Sequence, residues 1–69
     1  MSLLEFIHKW EAPEENRLRL LVTAFFERDE RTIRKWMNEQ TPRYARWVLD
    51  QINKEWERNG RNYAIFFQD

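Results

Sequence analysis

At 69 residues the chain has the length of one domain, close to the size at which a single core is only marginally stable. It contains no cysteine, which excludes a disulfide framework and a thiolate metal site; four Trp, five Phe and two Tyr are the core material instead. The formal net charge is zero, which argues against nonspecific, charge-driven binding of nucleic acid by the whole surface.

Ser2-Leu3-Leu4-Glu5 has the capping-box pattern, with Ser at the N-cap and Glu at N3. Leu3, Ile7 and Trp10 recur at helical spacing with Phe6 beside them, which predicts a first helix from about Leu3 to Trp10. Ala12-Pro13-Glu14-Glu15 reads as the start of a second helix: Pro suits the first turn, and the two Glu complement the positive end of the dipole. Leu18, Leu21, Val22, Phe25 and Phe26 form its expected buried stripe, and its end is expected near Glu27 or Arg28. Asp29 suits the N-cap of a third helix. In that helix Ile33, Trp36 and Met37 face inward, leaving Arg31, Arg34, Lys35 and Asn38 on the outer face. Gln40-Thr41-Pro42 closes it and opens a fourth helix, with Thr41 as N-cap and Pro42 at N1. Tyr44, Trp47, Val48, Leu49, Ile52 and Trp56 give that helix a wide apolar face, and Asn59-Gly60 stops it.

The tail Asn62-Tyr63-Ala64-Ile65-Phe66-Phe67 is apolar and rich in strand formers. One strand cannot stand alone, so the tail is expected either to pack over the helices or to pair with the same segment of a second chain. Among the tryptophans, Trp36 and Trp47 fall at core positions, while Trp10 and Trp56 lie near helix ends where partial exposure is expected. The single Gly and both Pro fall at helix ends. Local signals therefore agree on one domain over residues 1–69: an all-α, compact four-helix fold with an ordered apolar C-terminal tail.

The stretch from Leu20 to Ile52 carries a more specific pattern. An apolar segment gives way to Glu27, Arg28 and Asp29, and then to a short basic helix with Arg31-Thr32-Ile33-Arg34-Lys35-Trp36. Asn38-Glu39-Gln40-Thr41-Pro42 makes a polar turn into a Pro-started helix. This stretch resembles the helix-turn-helix DNA-binding domains of phage-repressor type, whose second helix commonly reads Ser/Arg-x-Thr-Val-x-x-Trp. It departs from them at the turn, where Glu27 or Arg28 stands in place of the usual Gly at a cost of roughly 1 kcal/mol for a left-handed residue. Thr23 also replaces the usual small Ala of the first helix, and the apolar residue after the turn is missing.

The resemblance implies a transcriptional regulator of phage or plasmid type that reads double-stranded DNA with the helix at about 30–39. Arg31, Arg34 and Lys35 would donate to guanine edges or phosphates, and Arg alone can do so bidentately. Asn38 would pair with adenine, and Thr32 would touch phosphate or a thymine methyl. Arg28, Arg43 and Arg46 would hold the backbone. A domain this small would act as a homodimer, with Tyr63, Ile65, Phe66 and Phe67 as the interface. The charge distribution agrees: residues 28–46 sum to +3, against −2 for residues 1–27 and −1 for residues 47–69.

The alternative is a small helical protein–protein interaction module, an adaptor or inhibitor that binds through its aromatic surface and tail. On that reading the basic helix is an ordinary solvated face, which the neutral net charge favours. The two readings differ in what they place together. DNA binding wants Arg31, Arg34, Lys35, Arg43 and Arg46 on one face, and the adaptor wants an apolar patch.

Nothing points to an enzyme. His8 is the only histidine, and without a second His or a Cys it forms neither a metal site nor a nucleophile–base pair. Glu14-Glu15 and Glu55/Glu57 fit helix solubility better than acid–base work, and no Gly-rich loop is present to cradle phosphate. No cofactor is expected. No apolar run approaches the ~18 residues of a membrane span, and no secretory leader is evident. A cytoplasmic location is therefore expected.

Overall fold

The computed structural model describes residues 1–11 and 17–67. Four helices run in order: α1 (Leu3–Trp10), α2 (Arg17–Phe26), α3 (Glu30–Asn38) and α4 (Arg43–Asn59), followed by a short 3-10 helix, Tyr63–Phe67. The fold is all-α. The Ala12-Pro13-Glu14-Glu15 helix start lies outside the described residues. None of the described helices is long and apolar enough to cross a membrane.

α1 begins where its capping box predicts. The Glu5 amide donates to Ser2 Oγ at 3.2 Å and the Ser2 amide donates back to Glu5 Oε1 at 3.1 Å. α1 buries Leu3, Phe6 and Ile7 and contacts α2, α3 and α4, so it is the hub of the bundle. Leu18 and Val22 from α2, Ile33 and Trp36 from α3, and Ala45, Leu49, Ile52 and Trp56 from α4 complete one continuous core. Burying each large side chain in it contributes roughly 1.5–3 kcal/mol. At the far end, α1 is held to α4 by the Trp10 indole N–H donating to Asn53 Oδ1 at 3.0 Å and by the Lys9–Glu57 ion pair. Gly60 ends α4 as its composition predicts, with φ at 89° and its amide donating to the Trp56 carbonyl at 2.8 Å.

Thr41 does not cap α4. The N-cap is Pro42, without a side-chain cap, and the helix starts at Arg43. Thr41 is 2 % exposed and its hydroxyl is turned inward, accepting from the Leu3 amide at 2.9 Å and donating to the Trp36 carbonyl at 3.1 Å. The physical reason is the first turn of α1. Leu3 is fully buried, so its amide, which has no partner within the helix, must find an acceptor inside the protein. Thr41→Val keeps the shape and strands that amide, and is expected to cost about 1–3 kcal/mol in chemical denaturation. A loss well under that would show that water reaches the Leu3 amide.

The tail is not a strand. Asn62 Oδ1 accepts from the Ala64 amide at 2.9 Å, a local turn that starts the 3-10 helix. Tyr63 and Phe66, three apart and on one side of that helix, both reach Trp56, with ring centroids at 6.0 and 5.9 Å. Aromatic content therefore serves packing onto α4 here, overriding β propensity.

Two tryptophans change places relative to expectation. Trp56 is 2 % exposed and central, whereas Trp47 is 65 % exposed. The buried stripe of α4 runs Ala45, Leu49, Ile52, Trp56, and Trp47 projects from the opposite side of the helix. Tyr44 is likewise exposed. On α2 the stripe narrows to Leu18 and Val22, with Leu21 and Phe26 half-buried and Phe25 exposed.

Candidate nucleic-acid interface

The connection between α2 and α3 is three residues long: Glu27, Arg28 and Asp29. Glu27 has φ of 54°, the left-handed conformation usually given to Gly. Its amide donates to the Ala24 carbonyl at 3.1 Å, and the Arg28 amide donates to the Thr23 carbonyl at 3.3 Å. This 5→2 and 6→1 pair is a Schellman motif, closed here without glycine. Glu27→Gly removes the left-handed penalty and is expected to raise stability by up to about 1 kcal/mol, read as a higher Tm. A lowered Tm would mean that the Glu27 side chain supports the turn.

α3 starts directly after this turn. Asp29 is its N-cap, accepting from the Thr32 amide at 2.8 Å. The Thr32 side chain and amide hold the Asp29 carboxyl below its ordinary range. The cap therefore supports the fold while Asp29 is ionised, and that support is lost as pH falls through the lowered value. Ile33 and Trp36 are buried and Met37 is half-buried, which fixes the rotation of the helix about its axis. Trp36 is wedged edge-on between Phe26 at 5.3 Å and Tyr44 at 5.9 Å.

That rotation presents Arg31, Arg34, Lys35 and Asn38 to solvent, where with Glu39 they border one shallow depression. Among the described residues none of these cations is engaged in an ion pair. Arg43 and Arg46, exposed on the first turn of α4, border a second depression with Gln40, Trp47 and Asp50. A third lies between, lined by Thr32, Lys35, Trp36, Glu39, Gln40 and Pro42. Lys35 and Glu39 are shared by the first and the middle one, and Gln40 by the middle one and that of Arg43 and Arg46. The cations of α3 and of the α4 start thus border a continuous strip of surface.

The other expected site residues are placed differently. Arg28 is exposed on the turn, and its guanidinium donates to Tyr44 Oη at 3.1 Å. Thr32 is half-buried and its amide is occupied by the Asp29 cap. Glu30, exposed in the first turn of α3, sets a negative charge beside the leading cations. Of the four expected interface residues, Tyr63, Ile65 and Phe66 are half-buried against the core and Phe67 is exposed, and the segment is a 3-10 helix rather than a strand. His8 is exposed, and among the described residues no three His, Cys, Asp or Glu side chains gather.

Sequence reasoning missed Tyr44 and Trp47 as surface groups. The signal was present in the i, i+4, i+7, i+11 spacing of Ala45, Leu49, Ile52 and Trp56, which is a complete helical stripe without them. Set against known protein families, curated proteins and solved structures, the chain matches none of them.

Proposed function

We propose that this chain is a small cytoplasmic DNA-binding regulator, of the kind phages and plasmids encode, that lays α3 in the major groove of duplex DNA. The observation that carries the reading is the outer face of α3. It holds Arg31, Arg34, Lys35 and Asn38 exposed together, after a three-residue turn closed by left-handed Glu27, with buried Ile33 and Trp36 fixing their direction. Arg31 and Arg34 supply the bidentate donors that match guanine O6 and N7, and Asn38 can pair with adenine N6 and N7. Lys35 and, across the strip, Arg43 and Arg46 meet phosphates, with Arg28 on the turn beside them. Glu30 opposes phosphate at the helix start, so binding rests on the cations that outnumber it along the strip.

The experiment is fluorescence anisotropy on random-sequence duplex DNA through a salt series. Micromolar binding whose log–log slope is about −0.9 per phosphate contact supports the reading. Absence of binding at low salt overturns it and turns attention to the second reading, a protein-interaction module. That reading has its own observation, the exposed Tyr44 and Trp47 rings on α4.

A further inference from the structure

We propose that a second copy of this chain covers the aromatic face of α4, forming a two-fold dimer. Tyr44, Trp47, Val48 and Gln51 follow one another at i, i+3, i+4 and i+7 along that helix. Tyr44 is 50 % exposed and Trp47 65 %. Opposite them stands Phe25, 39 % exposed, its ring edge-on to Phe26 and Phe66 at 5.3 and 5.4 Å. An open groove runs between, walled by Phe25, Trp47, Val48, Ile52 and Ile65.

Area and charge together select the occupant. At about 200 Å² per ring, these three aromatics expose roughly 300 Å², the size at which a patch on a small protein is often functional. Self-pairing would cover about 600 Å² from both copies, half of the ~1,200 Å² that a specific interface needs, before the groove walls and Gln51 are included. Among the described residues Glu55 is the only ionisable side chain lining the groove, in a chain that is 35 % charged, and its Oε1 already accepts from Asn59 Nδ2 at 2.7 Å. Within the groove a strongly charged partner would find only that carboxylate; Arg28, which donates to Tyr44 Oη, and Arg43 and Arg46, which border a depression with Trp47, stand outside the groove lining. A second copy meets an apolar groove with an amide-lined edge, which is the self-complementarity a two-fold interface requires.

The face shares no residue with the outer surface of α3 but adjoins Arg28, which donates to Tyr44 Oη; association is measured below without DNA, so its outcome is separable from the DNA reading. Trp47 also borders the depression of Arg43 and Arg46. Pairing there would set the cation strips of the two copies on either side of the joint.

Sedimentation velocity on the full chain without DNA, from micromolar to millimolar protein, tests the proposal. The mass is expected to rise from the 8.7 kDa of one chain to twice that. Trp47→Glu is expected to weaken association by more than about 30-fold at unchanged helical circular dichroism, as loss of a central aromatic anchor does. Leu20→Glu, at a position 58 % exposed on α2 and outside the groove, is expected to leave it unchanged. A wild-type chain that stays monomeric, or a Trp47→Glu chain that pairs like wild type, overturns the proposal. Tryptophan emission provides a readout independent of any variant. Trp36 and Trp56 are buried and Trp10 half-buried, so emission should shift to the red on dilution, in step with the mass, as Trp47 enters water. Emission that stays fixed while the mass halves places the interface elsewhere.

Discussion

Trp56→Ala is expected to unfold the domain at room temperature. Trp56 is 2 % exposed and meets four other aromatic rings: Phe6 at 5.4 Å, Trp10 at 5.2 Å, Phe66 at 5.9 Å and Tyr63 at 6.0 Å. It therefore joins the hub helix, α4 and the C-terminal 3-10 helix at a single point. Truncating a buried Trp to Ala costs about 3–5 kcal/mol through lost transfer energy and the cavity left behind. A core of this size rarely supplies more than about 3–5 kcal/mol in total. The expected reading is a collapsed circular dichroism signal and no cooperative thermal transition. Trp47→Ala, on the exposed side of the same helix, should leave the isolated fold nearly untouched. A Trp56→Ala chain that still melts cooperatively, a few degrees lower, would show that the core repacks without it.

The Arg34→Ala/Lys35→Ala double variant is expected to lose most DNA binding while keeping its helicity. Both side chains are exposed, neither packs in the core, and Ala is the best helix former. If both cations meet phosphate, the salt slope should flatten by about 1.8. If Arg34 reads a guanine instead, its loss contributes about 1–3 kcal/mol of discrimination at that base pair. The control is Lys54→Ala/Arg58→Ala, which removes the same net charge from the far half of α4, outside the strip. Equal weakening by both doubles would make binding a matter of net charge and take α3 out of the groove. Unchanged affinity in the first double alone would do the same.

Much of this arrangement was legible in the sequence, and the exceptions share a cause. Capping at Ser2 and Asp29, the stop at Gly60 and the outward cations of α3 are local: each follows from residues within one or two helical turns. The left-handed place is narrowed by the sequence to Glu27 or Arg28, and the missing glycine points to a longer or differently shaped turn, whereas the connection is three residues long and closes on Glu27. Thr41, Trp47, Trp56 and the tail could not be read this way. Thr41 satisfies an amide thirty-eight positions away at Leu3. Which of the α4 tryptophans is buried depends on which side of that helix α1 approaches. The tail abandons its strand propensity because Trp56 is within reach. Partners remote along the chain decide these positions; for the tryptophans the local spacing admits the Ala45, Leu49, Ile52 and Trp56 stripe but does not by itself choose it over the other face. For the candidate site, the identity and outward direction of the α3 residues were readable. The continuity of their strip with Arg43 and Arg46 required the fold.

The position of α1 as hub also has a consequence for the order in which the domain assembles. Helices α2, α3 and α4 all dock on eight residues near the start of the chain, and Phe6 meets Trp56 across fifty positions of sequence. Local contacts alone would leave α1 with a bare apolar face, and the α2–α3 pair would form without a floor beneath Ile33 and Trp36. The rate-limiting step should therefore be closure of the long loop that brings α4 back onto α1. During synthesis the segment carrying the cation strip is therefore expected to gain a stable core only once α4 has left the ribosome. The domain would then acquire its core, and any capacity to engage DNA, in one late event.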